Sequence, residues 1–244
     1  MCTVTYLPLS DNGFMLTSSR DEQVSRPSAA SPRTERIGGR EVCFPQDPQG
    51  RGTWIAASGR STLCLLNGAF RAHVPQPPYR HSRGLVVLDF FQYTSLYEFL
   101  EDYAFTGIEP FTLLVVEAGL LVELRWDGAR LHYTEPDPAQ AHIWSSATLY
   151  SADVVARREA WFRAWLQTRT TYSLGAIRNF HKTAGAGDPE NGLFMNRDNR
   201  IRTVSLTSVL NLSYGTELFY EDFSAPSFTH QLIANYYHER IHDN

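Results

Sequence analysis

Residues 10–13 read Ser-Asp-Asn-Gly and lie between two β-prone runs, TVTYLPL (3–9) and FMLTSS (14–19). Asn-Gly between apolar runs is a strong hairpin signal, because both residues tolerate the left-handed backbone that tight turns require. The same grammar recurs. TWIAA (53–57) and STLCLLN (61–67) pair across SGR, and FTLLVVEAG, LLVELRWDG and RLHYTE (111–135) form a meander broken at Gly and Asp-Gly. IRTVSLTSVLNL and GTELFYEDF (201–223) make a last strand pair. Hairpins in place of strand–helix–strand alternation predict mainly antiparallel sheets.

Helical segments interrupt the strands. GLVVLDFFQY starts one, and SLYEFLEDY follows with Ser95 and Glu98 spaced as a capping box. From Tyr150 to Thr168 the residues Val154, Val155, Trp161, Phe162, Trp165 and Leu166 fall on one helical stripe, with Ser151 at the N-cap. That stripe reads as core. The polar, Pro-rich stretch after Ser19 reads as loop, as do residues 74–84 and 181–192, and a short polar helix is expected to end at Asn244. No Gly/Ser-rich linker or internal repeat divides the chain, so residues 1–244 are expected to form a single α+β domain of sheets covered by helices.

Composition narrows the function classes. Apolar residues at 43% and charged residues at 20% mark a globular chain, and a net charge of −4 gives no footprint for nucleic acid. No apolar run is long enough to span a bilayer, and no signal peptide is apparent, so a cytoplasmic protein is expected. Cys2, Cys43 and Cys64 show no metal-binding or disulfide spacing, and Cys43 and Cys64 read as structural. The sequence is silent on oligomeric state.

Cys2 stands apart. Removal of Met1 would place its thiol and a free α-amine on one residue, the amine with an unperturbed pKa of about 7.7–8. A guanidinium nearby, such as Arg20, would lower the thiol pKa, and a carboxylate, such as Asp21, would orient the amine. The alternative is a small packed residue on a first strand. Antiparallel pairing brings the start of one strand beside the end of the next, so Arg20 and Asp21 come within reach of Cys2.

MCTVTYLP, LTSSRDEQVSRPS and the GRGTWIAAS block with its following strand ending at Asn67 resemble the NRDE family, that of transport and Golgi organisation protein 2. More loosely, IRTVSLTSV and ELFYEDF resemble the family's final strand pair. The resemblance implies a four-layer αββα sandwich of the N-terminal nucleophile (Ntn) hydrolase type. The motif here reads Ser-Arg-Asp-Glu, with Ser19 where the family name implies Asn; serine is shorter and lacks the amide's donors.

The resemblance implies Cys2 as nucleophile with its α-amine as base, Asp21 holding the amine and Arg20 tuning the thiol. Oxyanion donors are expected from Asn67 first and Asn196 second, with Arg202 carried over from the last strand pair. Asn67 before Gly68 reads equally as a turn residue, Arg202 also as a strand-surface charge, and Glu22 as facing away or pairing with Arg26. The implied activity is hydrolysis of a non-peptide amide bond in a small molecule, with no cofactor. The resemblance equally admits a binding protein for haem or an acyl or lipid ligand. HERIH (238–242) matches a short zinc-protease pattern but has no downstream third ligand, and His181 reads as a loop or helix-end histidine.

Overall fold

The computed structural model describes residues 2–234, with side chains from Thr3 to Ile233. In chain order the elements are β1 (Cys2–Pro8), β2 (Phe14–Gln23), β3 (Ala30–Ile37), β4 (Arg40–Gln46), β5 (Ile55–Ala57) and β6 (Ser61–Asn67). Helices α1 (Arg83–Asp89) and α2 (Leu96–Asp102) follow, then β7 (Phe111–Glu117), β8 (Leu120–Trp126), β9 (Leu131–Thr134) and β10 (His142–Ser145). Next come α3 (Ala152–Gln167), α4 (Leu174–Thr183), β11 (Asn196–Arg197), β12 (Ile201–Leu212), β13 (Gly215–Asp222) and β14 (Ser227–Ala234).

The strands form two sheets, and every pairing is antiparallel. One runs β10-β1-β2-β12-β13-β14, with β11 also paired to β12; the other runs β3 to β9 in chain order. Period-two alternation then sorts side chains into layers. Val4, Leu16, Val209 and Leu218 of the first sheet meet Ile55, Cys64, Leu66 and Leu114 of the second between the sheets. Leu63, Leu65 and Leu113 point the other way, beneath Val86, Val87 and Phe99 of α1 and α2. Leu7 and Met15 lie beneath Phe162, Ile177 and Phe180 of α3 and α4. The result is the expected αββα order, each large buried side chain contributing roughly 1.5–3 kcal/mol. Among the described residues no helix is long and apolar enough to cross a membrane.

Several local expectations change. Residues 23–52 were expected to be loop, but β3 and β4 form there across Gly38 and Gly39, both with positive φ. β3 is an edge strand, so its exposed Arg and Glu side chains conceal it from a hydrophobic pattern. Strands β10 and β14 and helix α4 are likewise additions; the expected C-terminal helix lies largely outside the described residues. In the first hairpin Asp11 and Asn12 take the left-handed conformation, and Gly13 serves a different need. A Cβ there would lie 2.8 Å from the Asn211 carbonyl oxygen. The Ser95 cap is half the expected box: Glu98 N donates to Ser95 Oγ, while the Glu98 carboxylate accepts from Thr94.

Candidate active site

β2 does not end before the Arg-Asp pair but runs through it, and its register opposes Cys2 to Arg20 and Thr3 to Ser19. Successive residues of a strand project to opposite faces. Arg20 therefore turns into the space between the sheets, whereas Asp21 turns beneath the helices.

On the inner face the first sheet is apolar at Val4, Leu16 and Val209 and becomes polar toward Arg20. Ser18, Thr207 and Ser205 occupy the corresponding positions of β2 and β12, pairing in the order Ser18–Thr207 and Arg20–Ser205. Their hydroxyls, and the indole N–H of Trp54, are buried without a hydrogen-bond partner among the described residues. The Arg20 guanidinium lies 4.6 Å from the Trp54 ring centroid, a cation–π contact, and 3.4 and 3.5 Å from the Glu22 and Asp47 carboxylates. Asp47 is held more closely by Arg26, at 2.9 Å from Nε, and the arginines keep its carboxyl below the usual range against the effect of burial.

Arg20, Glu22, Asp47 and Trp54 line a cavity of about 470 Å³ together with Asn67, His73, Arg83 and Glu109. Asn67 is the last residue of β6, its backbone carbonyl accepting from Ser146 Oγ at 2.8 Å. Arg20 and Asn67, both candidates from the sequence, thus share one cavity. Arg202 borders a smaller neighbouring cleft of about 200 Å³, which also contacts Arg20 and Glu22, and Arg202 donates to Ser224 Oγ at 3.3 Å. Asn196 is exposed at the start of β11, paired in register with Arg202 of β12, its amide bonded to Asn199 at 2.8 Å, and it lines neither cavity. Glu22 contacts both Arg20 and Arg26. A larger cleft, about 840 Å³, lies at the other end of the β1–β2 hairpin around Tyr6, Asn12 and Phe14; it contains none of these residues.

Beneath the helices Asp21 is fully buried. Tyr150 donates its hydroxyl to one carboxylate oxygen and Thr203 donates to the other at 2.6 Å. Burial pushes the Asp21 carboxyl above its ordinary range, opposed by Arg158 and the two hydroxyls. Arg158 of α3 is buried with its guanidinium 3.7 Å from the Tyr150 ring centroid. It donates to Thr3 Oγ1 at 2.5 Å and to the carbonyls of Asn191 and Gly192 at 3.0 and 2.7 Å. The glycine-rich loop is therefore tied to α3. His181 lies in the last turn of α4, buried, 2.9 Å from Thr5 Oγ1 and 2.7 Å from Ser19 Oγ. Burial, with Arg178 and Arg158 nearby, lowers its pKa to about 3.

Sequence reasoning singled out none of Tyr150, Thr203, Arg158, Trp54 or Asp47 as a site residue. An arginine within the apolar stripe of α3 was a readable sign that something there needed a cation; the others carried no local signal. HERIH lies outside the described residues.

Two facing antiparallel sheets flanked by helices, with a cysteine opening the first strand, constitute an Ntn-hydrolase-like fold. The crystal structure of the C2A mutant of conjugated bile acid hydrolase from Clostridium perfringens superposes with a TM-score of 0.51 at 9% identity, covering 95% of this chain and 92% of that one. Such low identity speaks to the fold alone. The chain belongs to the Transport and Golgi organisation 2 family, whose model matches residues 1–205. Comparison with curated proteins gave no match.

Proposed function

We propose that the protein is an N-terminal-cysteine hydrolase of a non-peptide amide bond in a small polar molecule. The observation that carries this reading is the pairing of Cys2 with Arg20, whose side chain lines the cavity that also receives Asn67. With Met1 removed, the Cys2 α-amine takes the thiol proton and sulfur bonds to the amide carbon. The Asn67 amide donates to the resulting oxyanion. The C–N bond then breaks, the departing amine carrying the proton away, and water cleaves the thioester to release a carboxylic acid and restore the thiol.

The lining favours this reading over a haem or acyl-chain carrier. Arg20 and Arg26 pair with Glu22 and Asp47, and Arg83 with Glu109, along the cavity wall, a charged lining poorly suited to hydrocarbon. Intact mass of the purified protein should show loss of Met1. Iodoacetamide should label Cys2 ahead of the buried Cys43 and Cys64, and a panel of N-acyl amides should be turned over by the parent and not by Cys2→Ala. Retained methionine, or turnover unaffected by Cys2→Ala, overturns the mechanism.

A further inference from the structure

We infer that Tyr150, Thr203 and Arg158 are positioning residues that aim the Asp21 carboxylate at the amino end of β1 and oppose its protonation. This rests on the hydrolase reading. Asp21 sits one residue beyond the Cys2–Arg20 pair, on the face shared by Thr3 and Ser19. A carboxylate so deeply buried would take up a proton unless donors and a cation compensate. Tyr150 and Thr203 supply one O–H to each oxygen, leaving the remaining lone pairs for an N–H at the start of the chain.

The geometry fixes more than charge. The Thr203 hydroxyl accepts from Met195 N at 2.9 Å, and of the two acceptors in reach of its hydrogen the Asp21 carboxylate at 2.6 Å is nearer than the Leu193 carbonyl at 3.3 Å. Tyr150 is backed by the Arg158 guanidinium across its ring, and the same guanidinium bonds Thr3, the residue after Cys2. One cation thus ties the carboxylate's donor to the strand that bears the nucleophile. The titratable groups set against Asp21 are Tyr150 and Arg158; His181 of α4 lies one strand pair away, on Ser19, and is neutral. Arg20 faces the other side of the sheet.

An anionic Asp21 favours the ammonium form of the Cys2 amine, and that ammonium favours the thiolate. The test is the rate of Cys2 alkylation by iodoacetamide from pH 5 to 10, read by intact mass on Met1-free protein. Tyr150→Phe should move the inflexion upward by about half a unit, a roughly threefold slower reaction at pH 7. Thr203→Val should act in the same direction, and Thr203→Ser, which keeps the hydroxyl, should restore the parent profile. Unchanged inflexions in Tyr150→Phe and Thr203→Val, with only lower melting temperatures, would make the three residues purely structural. That would overturn the inference and leave the hydrolase reading standing. A parent Cys2 that iodoacetamide does not reach overturns both.

Discussion

Ser19 and His181 are joined across the sheet–helix boundary, Oγ to Nδ1 at 2.7 Å, while the second imidazole nitrogen reaches Thr5 at 2.9 Å. One ring therefore bridges β1 and β2 near the candidate site. A neutral imidazole has one donor and one acceptor, so one hydroxyl accepts from the ring and the other donates to it. Ser19, short and able to do either, suits this place beneath α4.

The burial of that ring, with Arg178 and Arg158 nearby, makes stability depend on acid in a definite direction. His181 has a folded pKa of about 3 against about 6.5 in the open chain. The unfolded state thus binds the extra proton first. The histidine's contribution is whole above pH 6.5 and declines as pH falls from there toward 3, by up to about 1.4 kcal/mol per unit. Urea midpoints measured from pH 7.5 to 4.5 should fall in the parent and fall less steeply in His181→Gln.

Arg158 should be among the least replaceable side chains. Arg158→Met leaves Thr3 Oγ1 and the Asn191 and Gly192 carbonyls without their buried donor. A loss of about 3–5 kcal/mol is expected in denaturant unfolding. Arg157→Met, which breaks an exposed pair with Asp188, should cost under about 1 kcal/mol.

Trp54, in the loop just before β5, supports Arg20 from the side of the second sheet. Trp54→Leu removes the ring beneath the guanidinium, and a loss of about 2–4 kcal/mol in stability is expected from core truncation with the cation–π contact. Arg20→Gln should raise the inflexion of Cys2 alkylation, since a guanidinium opposite the thiol's residue is withdrawn. Arg20→Lys should retain much of the charge effect but lose the planar stacking.

Gly52 and Gly84 meet at the cavity wall. A Cβ on Gly52 would lie 2.2 Å from the Gly84 carbonyl carbon, and Thr53 N donates to Gly84 O at 3.0 Å. Gly52→Ala must part the β4–β5 loop from α1, so a destabilisation of about 1–3 kcal/mol is expected, measurable as a lower melting temperature. Gly39→Ala meets no neighbouring atom; its cost should come from the positive φ alone.

The hairpins were readable because Asn-Gly and Asp-Gly turns lie between apolar runs, and the Arg20–Cys2 proximity followed from antiparallel pairing. The edge strand β3 was not readable, since an edge buries too little to leave an apolar imprint. Helix α4 was obscured for a related reason: two of its four buried residues are Arg178 and His181, which satisfy polar groups of the sheet and break the apolar period. The donors to Asp21 lay furthest from local inference. Tyr150 and Thr203 stand 129 and 182 residues along the chain from it, and only the assembled fold brings them there.

The alternation of Arg20 and Asp21 across β2 gives this strand no tolerance for slippage. Sliding it by a single position would exchange the two, delivering the acid to the cavity and the base to the helices, with every apolar neighbour inverted as well. Insertions or deletions of one residue between Phe14 and Arg20 should therefore be absent from functional descendants of this chain, whereas the exposed turn at Asp11 and Asn12 can change length freely.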